Sequence, residues 1–298
     1  VYHLIKEKGD TYMNFNVHKQ PEDFAIIAEP YLLKHEDIYS LFYGVLQGIK
    51  NGRYQEYFMV SIVEGGKLLA LLQMTPPHPL NLIVIDEQDK DRVIDFVVDE
   101  LFNRQIQVPS VVGIKKVIHS FAEKWKIKTD KNSKVLMDQG LYRLDQVTPS
   151  LEITTGSWRY SNIADAPLIE QWYQDFENDT GITKTPIAQI KERVLQFIKE
   201  NEVFLWEDEG QIVSMMKKSR PSEHGVTVSF VFTPKEQRKK GYARTMVAEG
   251  SQELLKTFDF CVLYTDMLNP TSNKIYQEIG YRKIADSIHI EFVEKEGN

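Results

Sequence analysis

The 298-residue sequence predicts an α/β (α+β) fold in two similar halves, each a central mixed β-sheet flanked by helices. Three observations carry this. A β-hairpin pattern occurs early in each half, at Tyr57–Val63 with Lys67–Met74 and again at Val203–Glu207 with Ile212–Lys217. A strand and a long amphipathic helix follow each hairpin. Closing strands then end each half, so the order of elements recurs at an offset of about half the chain.

The elements follow in order. Phe24–His35 and Asp37–Gln47 read as leading helices, and Glu64-Gly65-Gly66 turns the first hairpin. Pro76, Pro77 and Pro79 break regular structure before a strand at Asn81–Ile85. Val93, Phe96, Val97 and Leu101 mark a helix over Asp89–Arg104. A strand near Val108–Val112, a helix near Ile114–Trp125 and a strand near Val135–Leu144 complete the first half. Thr148-Pro149-Ser150 reads as the linker, giving domains 1–148 and 149–298. In the second half, Asp165 caps a helix to Glu177 and Thr185-Pro186 opens another to Glu200. Asp208-Glu209-Gly210 turns the second hairpin. Val226–Thr233 is a strand, Tyr242–Phe258 a helix, Phe260–Asp266 a strand and Ser272–Ile279 a helix, with strands near Tyr281–Ala285 and Ile288–Val293.

Composition narrows the function. Hydrophobic residues at 42% and charged residues at 27% are those of a globular protein. No apolar stretch is long enough to span a membrane, and Val1 to Asp10 hold no signal-peptide core. Cys261 is the only cysteine, so no intrachain disulfide forms and a cytoplasmic location is expected. Its strand neighbours Phe260, Val262 and Leu263 mark it as a packing residue. A net charge of −7 argues against nucleic-acid partners and suits an amine substrate. The histidines have no ligand spacing, so no metal is expected.

The segment from Val226 to Leu254 carries the chemistry. A β-branched strand ends at Pro234, and Arg238-Lys239-Lys240-Gly241-Tyr242-Ala243-Arg244 then opens a helix. The first turn of a helix offers unsatisfied amides and the positive end of its dipole, which suits a diphosphate. Gly241 allows close backbone approach, Ala243 keeps the next position small, and four basic side chains add charge. The lack of Gly-Lys-Ser/Thr excludes a Walker loop, and a single loop glycine excludes a dinucleotide fingerprint.

The pattern Arg238-x-x-Gly241-x-Ala243 resembles the acetyl-coenzyme A signature of the GCN5-related N-acetyltransferases. Val231-Phe232-Thr233-Pro234 resembles the end of that family's splayed fourth strand. Asn269-x-x-Ser272-Asn273-x-x-Tyr276-x-x-x-Gly280-Tyr281 resembles its second signature. The likeness covers Trp158–Val293. The first half lacks the glycine turn and reads as a degenerate copy, making a tandem member of the family. The resemblance implies an N-acetyltransferase that uses acetyl-CoA and a small-molecule or peptide amine, as a monomer or homodimer. It implies that Val231, Phe232, Thr233, Arg238, Lys239, Lys240, Gly241, Tyr242, Ala243, Arg244, Asn269, Ser272, Asn273 and Tyr276 meet the cofactor. It also implies that Tyr276 protonates the departing thiolate. On spacing alone, Tyr276 reads sooner as a packing residue than as an acid, and Asn269 is equally a helix cap. The Val226–Thr233 strand bears no carboxylate, so Glu223, His224, Asp175 and Glu177 stand as base candidates by chain position. Without a base, the alternative is a silent acyl-CoA sensor.

Overall fold

The computed structural model describes residues 12–181 and 184–295. The segment Val1 to Asp10 lies outside them. Described residues divide into two compact units, 12–140 with 285–295 and 141–284. No helix among them is long and apolar enough to cross a membrane.

In the first unit, β1 (Asn14–His18) precedes α1 (Pro21–Leu32) and α2 (Ser40–Lys50). The hairpin β2 (Phe58–Glu64) and β3 (Lys67–Met74) leads to β4 (Leu80–Val84), α3 (Lys90–Asn103), β5 (Ser110–Ile114), α4 (Lys115–Thr129) and β6 (Asn132–Leu144). Its strand order is β1-β2-β3-β4-β5-β12, where β12 is Arg282–Val293 from the chain's end. Ile288, Ile290 and Phe292 of β12 pack into the same core as Val93, Val97, Phe121 and Trp125. The helices α1 and α2 cover the opposite sheet face through Phe24, Leu32, Phe42 and Leu46.

The second unit repeats the plan with β7 (Ser157–Tyr160), α5 (Ala166–Thr180), α6 (Ile187–Lys199), β8 (Val203–Asp208), β9 (Gln211–Ser219) and β10 (Gly225–Phe232). Then come α7 (Tyr242–Leu254), β11 (Phe260–Asp266) and α8 (Pro270–Ile279). The strand order is β6-β11-β10-β9-β8-β7, with β6 contributing Tyr142 and Leu144 to this core. Thus each sheet closes on a strand from the other half of the sequence. Helices α7 and α8 cover one face through Met246, Val247 and Ile279, and α5 and α6 the other through Trp172, Ile190 and Val194.

Most expected elements are present with ends shifted by a few residues. The last two expected strands are one, β12 running unbroken from Arg282 to Val293 with Ser287 opposite Ile114. Asp165 stands within the short turn before α5. There its carboxylate accepts from the Asn162 amide at 2.7 Å and pairs with Arg159 at 2.8 Å. Asn162 is the actual cap, since its side chain accepts from the Ala164 amide.

Candidate functional site

The site grows from an interruption in β10. Val226 and Val228 face the α7 side of the sheet, and strict alternation would put residue 230 there next. Instead the register against β9 shifts between Ser229 and Phe232, and Phe230 adopts a left-handed φ of 54°. Val231 therefore faces α7, while Phe230 and Phe232 face α5. Phe230 lies between Tyr173 and Phe176, with ring centroids 4.9 and 4.4 Å away, which anchors the bulge. No local signal in the sequence marks it, since a positive φ at phenylalanine runs against propensity.

β10 and β11 pair in parallel only at Gly225, Val226 and Thr227, opposite Phe260, Cys261 and Val262. From Val228 onward the strands part. At the exit of β10 the carbonyl of Phe232 accepts from the Ser214 hydroxyl at 3.1 Å, and Thr233 Oγ1 lies 2.8 Å from the same hydroxyl. Pro234 ends the strand and leads into the basic turn.

That turn is held by its own charges. Arg238 Nε donates to the Thr233 carbonyl at 2.9 Å, and its guanidinium pairs with Asp179 at the end of α5. Lys240 donates to Gln237 Oε1 at 2.8 Å. Arg244 pairs with Glu278 at 3.3 Å and donates to the Glu152 carbonyl at 3.0 Å. Tyr242 donates to Asp208 at 2.6 Å. Arg238, Arg244 and Tyr242 thus shape the turn, and Lys239 and Lys240 stand exposed beside it. Lys239 and Gly241 are both left-handed, at φ 65° and 85°, so the chain turns sharply on either side of Lys240 as it enters α7. Gly241 is the N-cap of α7, and no side chain caps the helix. Its first-turn amides stay available, with Ala243 among them.

Sequence spacing does not reveal what backs this turn. The segment around Thr154 crosses the start of α7, where the Thr154 amide donates to the buried Thr245 hydroxyl at 3.0 Å. A Cβ on Gly241 would stand 2.9 Å from Thr154 Cγ2. On the inner face of α7, a Cβ on Gly250 would lie 2.2 Å from Met216 Cε, so this glycine sets how closely the helix seats on the sheet.

The second motif lies on α8. Asn269 is the N-cap, accepting from the Ser272 amide at 3.1 Å. Asn273 donates to the carbonyls of Asp266 and Asn269 at 3.0 and 2.9 Å, while its buried Oδ1 has no partner. Tyr276 is 9% exposed, packs edge-on to Tyr281, and is pushed up to about 12 by burial alone. Cys261 is buried and pushed up to about 12, so its thiol stays protonated and unreactive.

The base candidates separate. Glu223 and His224 are exposed at the entry of β10, whereas the bulge is near its exit. Seven residues of extended chain put about 23 Å between them, too far for proton transfer. Glu177 is buried and committed, accepting from the Thr185 amide at 3.1 Å and hydroxyl at 2.7 Å. Asp175 accepts from Gln171 at 3.1 Å on the outer part of α5.

Residues 211–290 match the family described as FR47-like protein. No curated protein matches the chain. Among solved structures, an acetyltransferase of the GNAT family from Colwellia psychrerythraea aligns over 94% of this chain and 100% of its own, at TM-score 0.61 and 10% identity. A GCN5-related N-acetyltransferase from Sphaerobacter thermophilus aligns over 95% and 97%, at TM-score 0.62 and 14% identity. A tandem GNAT protein from the clavulanic acid biosynthesis pathway aligns over 96% and 100%, at TM-score 0.56 and 9% identity. The architecture is a mixed-sheet α/β fold in tandem. The chain thus shares its tandem fold with these acetyltransferase structures, and the family match lies within its second unit.

Proposed function

We propose that the chain is an acetyl-coenzyme A-dependent N-acetyltransferase acting on a primary amine of a small molecule or peptide, with the cofactor held by the second unit. One observation carries this reading: β10 and β11 part after three paired residues, beside an uncapped helix N-terminus opened by Gly241. The residues present fit coenzyme A. The first-turn amides of α7, with Lys239 and Lys240, suit its diphosphate. The backbone of Val231, Phe232 and Thr233 borders the strand gap that suits its amide-bearing arm. Asn269, Ser272 and Asn273 fix the first turn of α8 after β11, and the orphaned Asn273 Oδ1 offers one acceptor. When bound, the thioester supplies an activated acetyl group.

A neutral amine would form the new carbon–nitrogen bond as the thioester carbon–sulfur bond breaks, giving up one N–H proton to water while the departing sulfur gains one from Tyr276, which solvent then reprotonates. A backbone amide near Phe232 would face the developing oxyanion. Tyr276, protonated throughout the working range, acts as donor to the sulfur and not as base. Holding a lysine-like amine neutral at pH 7 costs about 4–5 kcal/mol, which water relay or desolvation must supply. A cytoplasmic monomer or homodimer is the matching setting.

A second reading, a silent acyl-CoA sensor, draws on the commitment of Glu177 and the distance of Glu223 and His224. Thiol release from acetyl-CoA with pooled amines separates the two. We expect release in at least one pool, lowered about 100-fold in Tyr276→Phe with KM for acetyl-CoA little changed. Saturable binding without release in any pool sinks the enzyme and leaves the sensor.

A further inference from the structure

One face of the first sheet is divided. α1 and α2 cover β2, β3 and β4 there through Met59, Leu71 and Ile83. Farther along the same face, toward β5 and β12, apolar side chains give way to polar ones. The pairings of Gln73 with Asn81, Asn81 with Val112, and Val112 with His289 make one row across β3, β4, β5 and β12. Its side chains share the α1–α2 face, because Leu72, Leu80, Val111 and Ile288, each one residue away, point into the α3–α4 core. Ser110 and Ser287 lie on this face too, two residues from Val112 and His289 along their strands, and Glu291 stands opposite Ser110.

These groups are short of partners. Gln73 is fully buried and donates through Nε2 to the Phe42 carbonyl at 2.6 Å, yet its Oε1 has no partner. His289 Nε2 is likewise buried and unpartnered. Asn81, Ser110 and Ser287 are 6, 8 and 4% exposed, and their side chains make no hydrogen bond among the described residues. Buried polar side chains in folded proteins are normally paired, so a patch of them left open marks a place for a polar occupant. Val112 packs into neither of the unit's apolar cores and gives that patch a floor.

The chemistry of the patch selects the occupant. Burial outweighs the nearby Glu291 charge and holds His289 below its usual value, so its imidazole is neutral at pH 7. The paired positions of this patch carry no Lys or Arg, and Glu291 sets a carboxylate at its border, which disfavours an anion. Hydroxyl groups both donate and accept, so they satisfy Gln73 Oε1, the Asn81 carboxamide and either tautomer of His289 alike. Asn81 and His289 stand two strands apart, about 9.6 Å, which suits a single sugar-sized ring lying over Val112. We infer that the first unit binds a neutral polyol of monosaccharide size on this patch, its hydroxyls bonded by Gln73, Asn81 and His289.

The test uses the whole chain with labelled Val methyls and Asn and Gln side-chain amides, titrated with D-glucose and, separately, with cyclohexanol. Expected are saturable shifts at the Val112 methyls and the Asn81 and Gln73 amides with glucose, at a dissociation constant on the order of 1 mM. Cyclohexanol, a ring of the same size with one hydroxyl, should bind at least about tenfold more weakly. Asn81→Ala should weaken glucose about tenfold, and the milder Ser110→Ala about threefold, which keeps the test open if the first variant does not fold. Because no acetyl transfer is needed, the outcome is separate from that of the proposed enzyme. Three results would overturn the inference: no saturation with glucose up to about 100 mM, meaning the patch holds water only; equal affinity for cyclohexanol; or glucose affinity unchanged in the folded variants.

Discussion

The gap between β4 and β5 and the gap between β10 and β11 begin alike and end differently. Both follow a short parallel ladder, of two paired residues in the first unit and three in the second. Beyond the ladder, one chain turns through Asp86, Glu87 and Asp89, and the other through Arg238, Lys239, Lys240 and Gly241. The acidic turn spends its carboxylates on Gln88, Lys67 and Arg92. The basic turn fixes its shape with Arg238 on Asp179 and Thr233, and leaves the α7 amides uncapped. The strand gap is therefore common to both sheets, while the glycine and the basic charges that the proposed diphosphate site draws on occur in only one of them.

The sharpest way to break this comparison is to count cofactor. Calorimetric titration with acetyl-CoA should give one site per chain, and Gly241→Glu should abolish it. Glutamate there meets a strained φ of 85°, a contact 2.9 Å from its Cβ to Thr154, and repulsion from the diphosphate. Two sites in wild type, or a site that survives the substitution, would mean that the acidic turn also serves.

The outcome bears on what a sequence can reveal. The strand, proline, basic turn, glycine and helix are consecutive, so local chemistry exposes them together. Asn269 was readable as a cap for the same reason. The exchange of β6 and β12 was not, because closing strands of similar pattern do not say which sheet accepts them. The short, mostly exposed β1 carried too little alternation to register, since pairing with β2 alone defines it. The bulge at Phe230 depends on Tyr173 and Phe176, more than fifty residues earlier, and the backing of Gly241 by Thr154 is equally remote. Nearness in sequence does not fix direction: Glu223 and His224 lie at the entry of β10 and not at its exit.

A smaller effect tests whether the two units carry separate duties. Gly113 lies at the last close approach of β5 to β4, where a Cβ would meet the Leu82 carbonyl at 2.7 Å and Ile118 at 3.2 Å. A backbone oxygen cannot swing aside as a side chain does. Gly113→Ala should cost about 1–3 kcal/mol in urea unfolding of the first unit. The acetyl-CoA dissociation constant should stay within about twofold. A tenfold loss of affinity would show that the first sheet supports the cofactor site.

The smallest effect is a difference in alkaline stability. In the second unit Cys261 and Tyr276 are both pushed up to about 12 by burial, from ordinary values of 9.0 and 10.0. In the first, Tyr39 is raised by burial and by its contact with Tyr31. Each group holds its proton more tightly folded than unfolded. Each contribution is thus complete below the unfolded value and is lost as pH rises toward the folded one. The second unit should begin to weaken near pH 9, where an unfolded thiol ionises, and continue to about 12. The first should hold until about pH 10. Hydrogen exchange across this range reads the two separately, and Cys261→Ala should delay the second unit's onset to that of the first. If the onset does not move, burial at Cys261 is not what makes the units differ.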